Sequence, residues 1–189
     1  MGCFVITGQC AADWSGFTTS NAGDVNGDGL ADLLIGSYGR TNATNTTFPG
    51  SSYVVFGGPA NLMPFNLSTL NAGTSTKGFV INGGVSTLYG GIGWSASAAG
   101  DINSDGLADL VIDGGSTNDG PGKAYVVYGK TIGTAVDLGS LSATTGFLVY
   151  GLQTADYFGT SVSNGGDING DGLADLIVGS FGLGISAAT

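Results

Sequence analysis

Three nine-residue segments hold most of the chemistry in this chain: DVNGDGLAD at 24–32, DINSDGLAD at 101–109 and DINGDGLAD at 167–175. Each has Asp at its first, fifth and ninth positions, Asn at the third and Gly at the sixth. Side-chain oxygens spaced two residues apart turn inward together when the backbone curls tightly, and the Gly permits the sharp turn that follows. In the first copy Asp24, Asn26 and Asp28 offer side-chain oxygens, the Leu30 carbonyl faces the same point, and Asp32 closes the cage with both oxygens. The same roles fall to Asp101, Asn103, Asp105, Leu107 and Asp109, and then to Asp167, Asn169, Asp171, Leu173 and Asp175. An all-oxygen donor set suits a hard cation, and a flexible, protein-rich cage suits calcium better than the smaller magnesium. Three calcium sites are predicted.

The plain alternative is three Asx turns, since Asp, Asn and Gly are ordinary hairpin residues. Three copies, each closed by Asp at position nine, argue against it. So does the repulsion among three converging carboxylates that no cation offsets. An EF-hand is excluded because its twelfth position needs Glu, and Ile35, Ile112 and Val178 stand there, inside apolar runs.

Composition narrows the field. The chain has 189 residues, a net charge of −10, no His and no Glu, and all 14 acidic residues are Asp. Nine of those 14 lie in the three loops, so the acidity is localised at the predicted metal sites. With only Arg40, Lys77, Lys123 and Lys130 basic, there is no cationic footprint for nucleic acid or an anionic membrane surface. No apolar stretch is long enough to span a bilayer, so no membrane insertion is expected. MGCFVITG lacks a basic n-region, so no cleavable signal peptide is visible. Cys3 and Cys10 read equally well as a short-loop disulfide or as two small apolar residues.

The elements that position the loops repeat with them. An apolar segment recurs upstream as CFVITG at 3–8, GFVING at 78–83 and GFLVYG at 146–151. Each loop is followed by LLIGS at 33–37, LVIDG at 110–114 or LIVGS at 176–180. YVVFG at 53–57 and YVVYG at 125–129 come later. Short β-branched and aromatic runs bounded by Gly, Asn and Ser predict strands, and no sustained helical period appears. The chain is therefore predicted to be all-β, with four-stranded antiparallel repeats stacked as β-propeller blades and a β-sandwich as the alternative. One propeller segment, 1–189, divides into repeats 3–77, 78–145 and a truncated 146–189. Residues 40–50, 59–76 and 113–122 read as surface loops, and Asn42, Asn45 and Asn66 head N-x-Ser/Thr sequons. Trp14 and Trp94 are read as inter-blade core.

The unit resembles the FG-GAP repeat of integrin α-subunit β-propellers. Phe158-Gly159 matches the name, weakened to Ile92-Gly93 and Ser15-Gly16, while Gly36-Ser37, Asp113-Gly114 and Gly179-Ser180 are degenerate forms of its second half. The resemblance implies a seven-bladed ring in full-length relatives, calcium loops between the first two strands of a blade, and roles in adhesion or recognition. With about two and a half to three blades here, the chain reads as a segment of a longer propeller or as one that self-associates to complete a ring.

Three functions follow as expectations. The first is an extracellular or cell-surface, calcium-binding adhesion module for a protein or glycan ligand, with Tyr38, Phe48, Tyr89 and Tyr157 as candidate contacts. The second is a propeller part of a secreted phospholipase or polysaccharide lyase. The third is an architectural repeat of a large surface protein. The absence of His removes Ser-His-Asp and Cys-His chemistry. Asp113, Asp119, Asp137 and Asp156 form no repeated constellation and read as loop or turn residues, so no catalytic site is predicted.

Overall fold

A computed structural model describes residues 5–10, 13–39, 49–58, 64–71, 73–83, 91–115, 120–153 and 156–182. In chain order the strands are β1 (Ile6–Thr7), β2 (Ser15–Gly23), β3 (Asp32–Ser37), β4 (Ser51–Val55), β5 (Phe65–Asn66), β6 (Thr74–Ser75), β7 (Gly78–Asn82) and β8 (Ala96–Gly100). They continue with β9 (Asp109–Asp113), β10 (Lys123–Val127), β11 (Gly133–Thr134), β12 (Val136–Asp137), β13 (Gly146–Tyr150), β14 (Ser161–Gly166) and β15 (Asp175–Gly179). The helical segments among the described residues are two 3-10 turns, Leu67–Asn71 and Leu138–Ser140.

The strands assemble as β-propeller blades. Antiparallel neighbours run β2-β3-β4-β7 in one sheet and β8-β9-β10-β13 in the next, while β14 and β15 pair as a third hairpin. The sheets are one strand out of phase with the sequence repeats, because the GFVI and GFLV segments form the outer strand of the preceding sheet. The inner strand β8 lies against both β2 and β14, so the first strands of successive sheets stand side by side. A short parallel pairing joins β12 to β7, and β5 to β1 in the same way.

Both faces of the first two sheets are largely buried, which explains their near-continuous apolar runs. Strand alternation sends Leu34, Val54, Phe79 and Ile81 of the first sheet against Leu110, Ile112, Tyr125 and Val127 of the second. The opposite face of the first sheet buries Ile35, Tyr53, Val55 and Val80 with Phe65, Leu67 and Leu70. Val111 and Ala124 of the second sheet meet Val162, with Leu176 and Val178 packed alongside. Each large aliphatic or aromatic side chain so buried contributes roughly 1.5–3 kcal/mol.

The 59–76 segment corrects the surface-loop expectation. Its described part holds β5, a 3-10 turn and β6, and Phe65, Leu67 and Leu70 are almost fully buried. Asn66 sets this up. Its Oδ1 accepts from Ser68 N at 2.8 Å, and its Nδ2 donates to Thr7 Oγ1 and to the Gly8 carbonyl, both at 3.0 Å. Asn42, Asn45, Phe48, Tyr89, Asp119 and Cys3 lie outside the described residues; Cys10 is a free, exposed thiol.

Glycine opens both outer strands for a steric reason. Gly78 has φ +139° and Gly146 φ +150°, and a Cβ at either would collide with a main-chain oxygen, that of Val54 or of Val126. Gly73 also has positive φ (+87°) but faces open space. Gly78→Ala or Gly146→Ala should therefore cost roughly 3 kcal/mol or abolish folding, whereas Gly73→Ala should cost about 1 kcal/mol for the left-handed backbone alone. Urea denaturation compares them, and equal losses at all three positions would refute the collision argument.

Candidate functional site

Each nine-residue loop joins the first strand of a sheet to the second, and the three share one hydrogen-bond pattern. Asp24 accepts from Gly27 N (2.7 Å) and Asp28 N (3.0 Å) on Oδ1 and from Gly29 N (2.8 Å) on Oδ2. Asp167 repeats all three bonds with Gly170, Asp171 and Gly172. Asp101 accepts from Asp105 N and Gly106 N. Asn26 accepts from Asp28 N and donates to Asp28 Oδ2, as Asn103 does with Asp105 and Asn169 with Asp171. The fifth-position carboxylate takes the amide of the seventh residue at 2.9 Å in every copy. The backbone that permits this is left-handed at Gly29, Gly106 and Gly172. It is also left-handed at the fourth position, where Ser104 (φ 62°) stands in place of Gly27 and Gly170.

The ninth-position Asp does something the spacing did not reveal. Asp32 and Asp109 are fully buried. Asp32 Oδ2 accepts from Val25 N at 2.9 Å and Oδ1 from Gly57 N at 2.7 Å, just beyond β4. Asp109 repeats this with Ile102 N (2.8 Å) and Gly129 N (2.8 Å), just beyond β10. Asp175 holds Ile168 N at 2.7 Å. In the first two copies this carboxylate clamps the loop entrance to the third strand of its own sheet. Among the described residues no three Asp, Cys, Glu or His side chains converge as a metal cluster. The donor chemistry still fits a hard cation, because an oxygen that accepts one N–H keeps a lone pair, and the set includes the Asn oxygens and the Leu30, Leu107 and Leu173 carbonyls.

Neighbouring loops are also bonded to one another. Ala108 N donates to the Asp24 carbonyl and Lys130 N to the Val25 carbonyl, each at 2.9 Å.

The electrostatics follow burial. Desolvation raises the Asp32 pKa, opposed by the amides of Gly57 and Val25 and helped by the charges of Asp28 and Asp24. Asp109 is raised in the same way, by burial first, with Asp105 adding to it. Asp113, at the end of β9, is wholly buried and pushed up to about 7 by desolvation, against the amides of Ser95, Gly93 and Gly115. This residue is a strand residue, not the loop or turn residue that the sequence suggested. Asp13, which the sequence reading passed over, is lowered: burial raises it, but the amides of Ser15, Cys10 and Gln9 outweigh that.

The opposite end of the first two strands carries an aromatic group. Trp14 and Trp94 are 43% and 46% exposed, which corrects their reading as inter-blade core. Phe17 bridges them, with ring centroids 6.3 Å from Trp14 and 4.6 Å from Trp94, and Tyr38 meets Trp94 edge-on at 5.2 Å. Tyr157 stacks on Phe181 at 4.9 Å.

Comparison with known proteins agrees with this geometry. The FG-GAP repeat family model matches residues 16–55 and 158–184. Integrin alpha-PS2 of Drosophila melanogaster is 29% identical over 185 residues, covering 94% of this chain and 12% of the relative. Integrin alpha-5 of Xenopus laevis is 30% identical over 188 residues, covering 94% and 16%. The phosphatidylinositol-glycan-specific phospholipase D of Mus musculus is 30% identical over 161 residues, covering 83% and 17%. The chain thus spans less than a fifth of the length of each of these relatives.

Three buried carboxyls with raised pKa values fix the pH dependence of the metal-free protein. The folded state binds their protons more tightly than the unfolded state, whose carboxyl pKa lies near 3.8. Their contribution to stability is complete below that value and is lost as pH rises through the raised pKa values, the last near 7. In chelator, urea denaturation should show lower stability at pH 7.5 than at pH 5. Asp113→Asn should remove part of that fall, at most about 2.5 kcal/mol over this window. Stability that climbs with pH over this window would contradict the assignment.

Proposed function

This chain is built of FG-GAP repeats of the integrin α-type β-propeller family, and we propose that it is a calcium-stabilised recognition module working outside the cell or at its surface. The observation that carries this reading is the threefold recurrence of one loop, with the same donors and a shared set of internal hydrogen bonds in each copy. The proposed ligands are Asp24, Asn26, Asp28, the Leu30 carbonyl and Asp32, and their counterparts in the loops at 101–109 and 167–175. When bound, calcium would supply the positive charge that these carboxylates lack. The chain's own part is positional. Asp24 and its equivalents gather the loop amides, Asn26 fixes the rotamer of Asp28, and Asp32 ties the loop to the end of β4. A hairpin held in this way leaves the other end of the sheet, where the aromatic group lies, as a firm surface for a protein or glycan ligand.

A second reading, part of an enzyme, draws support from the phospholipase D relatives. It would give this chain a non-catalytic place, because the loop carboxylates are engaged with backbone amides and the sequence has no His or Glu. Turnover of a phosphoester substrate by this chain that disappears in an Asp variant would overturn the non-catalytic placement and favour a catalytic one.

Calorimetric titration of metal-free protein tests the main reading. About three calcium ions should bind per chain, and saturation at a hundredfold excess over Kd should add about 2.7 kcal/mol for each independent site. Asp32→Ala, Asp109→Ala and Asp175→Ala should each remove one ion and lower stability. Unchanged stoichiometry in all three variants would overturn the ligand assignment.

A further inference from the structure

The second sheet breaks the repeat at one position. Gly36 and Gly179 stand at the fifth position of the second strand in the other two copies, and Asp113 stands there in this one. Its side chain is 2% exposed. Oδ1 accepts from Gly93 N at 2.7 Å and Ser95 N at 3.2 Å, and Oδ2 from Gly115 N at 3.3 Å. Among the described residues no Lys or Arg pairs with it, and Lys123, the nearest basic residue in sequence, lies over the Tyr125 ring. A cavity of about 150 Å³ borders this carboxylate, and its other lining residues are Tyr38, Trp94, Gly115, Gly159, Thr160 and Phe181.

Two features of this cavity select its ligand. A buried carboxylate without a counter-charge is costly, and aromatic rings attract cations through their quadrupole, so a carboxylate beside three aromatic residues favours a cation. Yet three of the roughly four lone-pair positions of the carboxylate are already taken by backbone N–H groups. A guanidinium, a primary ammonium or a sugar would surrender several hydrogen bonds to water and regain few here. A cation without N–H groups surrenders none. The volume is below the ~300 Å³ at which pockets begin to hold drug-sized molecules, so it admits a head group only.

We propose that this cavity binds a quaternary ammonium group, with Trp94, Tyr38 and Phe181 as its aromatic walls and Asp113 as its counter-charge. The inference stands apart from the calcium reading, because none of these residues belongs to the loops.

Choline and its neutral carbon analogue 3,3-dimethylbutan-1-ol are the probes, titrated into the full chain while the indole N–H signals of Trp94 and Trp14 are followed by NMR. Choline should shift the Trp94 signal saturably, and the neutral analogue should bind about tenfold more weakly, equivalent to about 1.4 kcal/mol and within the range of a desolvated cation–π contact. Measured by calorimetric titration, Trp94→Ala at a half-exposed position should weaken choline about tenfold, as should Asp113→Asn, while Trp14→Ala should leave it unchanged. Equal binding of the two probes would reduce the site to an apolar hollow and overturn the proposal. Tighter binding of methylguanidinium or of a methyl glycoside, or a Trp94 signal that choline does not move, would overturn it as well.

Discussion

The structure depends on a buried carboxylate that reaches across its own sheet. Asp32 and Asp109 each hold one amide at the loop entrance and one beyond the third strand, so a single side chain fixes three points of the backbone. Hydrogen bonds to a charged acceptor contribute about 1.5–3 kcal/mol each, and removing the carboxylate would also leave buried N–H groups unsatisfied. Burial opposes this gain by penalising the charge, as the raised pKa values record. The charges of Asp28 and Asp24 add to that penalty at Asp32, and the charge of Asp105 adds to it at Asp109. A divalent cation beside it would work on that term.

The clamp also governs how neighbouring sheets meet. Gly129, which donates to Asp109, is followed by Lys130, whose amide bonds to Val25 in the first loop. Ala108, the residue before Asp109, donates to the Asp24 carbonyl. The same joint explains two small residues in the nine-residue pattern and just before it. A side chain on Gly23 would strike Ala108, and one on Gly100 would strike Ala174. Small residues before the first Asp and at the eighth position let one loop nest against the next. The pattern therefore encodes blade stacking as well as oxygen donors.

This double duty decides what could be read from the sequence. The loops, the strands that flank them and the all-β class were legible because each rests on local spacing that recurs. The Trp residues were misread because hydrophobicity alone cannot say whether a ring at a strand end is covered by the next sheet. Segment 59–76 was misread for the converse reason. Phe65, Leu67 and Leu70 have no strand period, and only the fold shows the sheet face that they cover. Asp113 was legible as a departure from Gly36 and Gly179, but its burial was not, since no sequence rule places a lone carboxylate inside a sheet.

The repeats differ where the two strand ends differ in duty. At the loop end, donors and small residues recur because stacking and donor geometry constrain them together. At the other end of the same strands, equivalent positions read Phe17, Trp94 and Thr160, then Tyr38, Gly115 and Phe181, then Gly36, Asp113 and Gly179. The sheet interior between the two ends is packed on both faces, so changes at the aromatic end need not disturb the clamp. A repeat protein in which one end holds the architecture can vary the other end residue by residue. The exposed rings and the buried Asp113 are concentrated where that freedom exists.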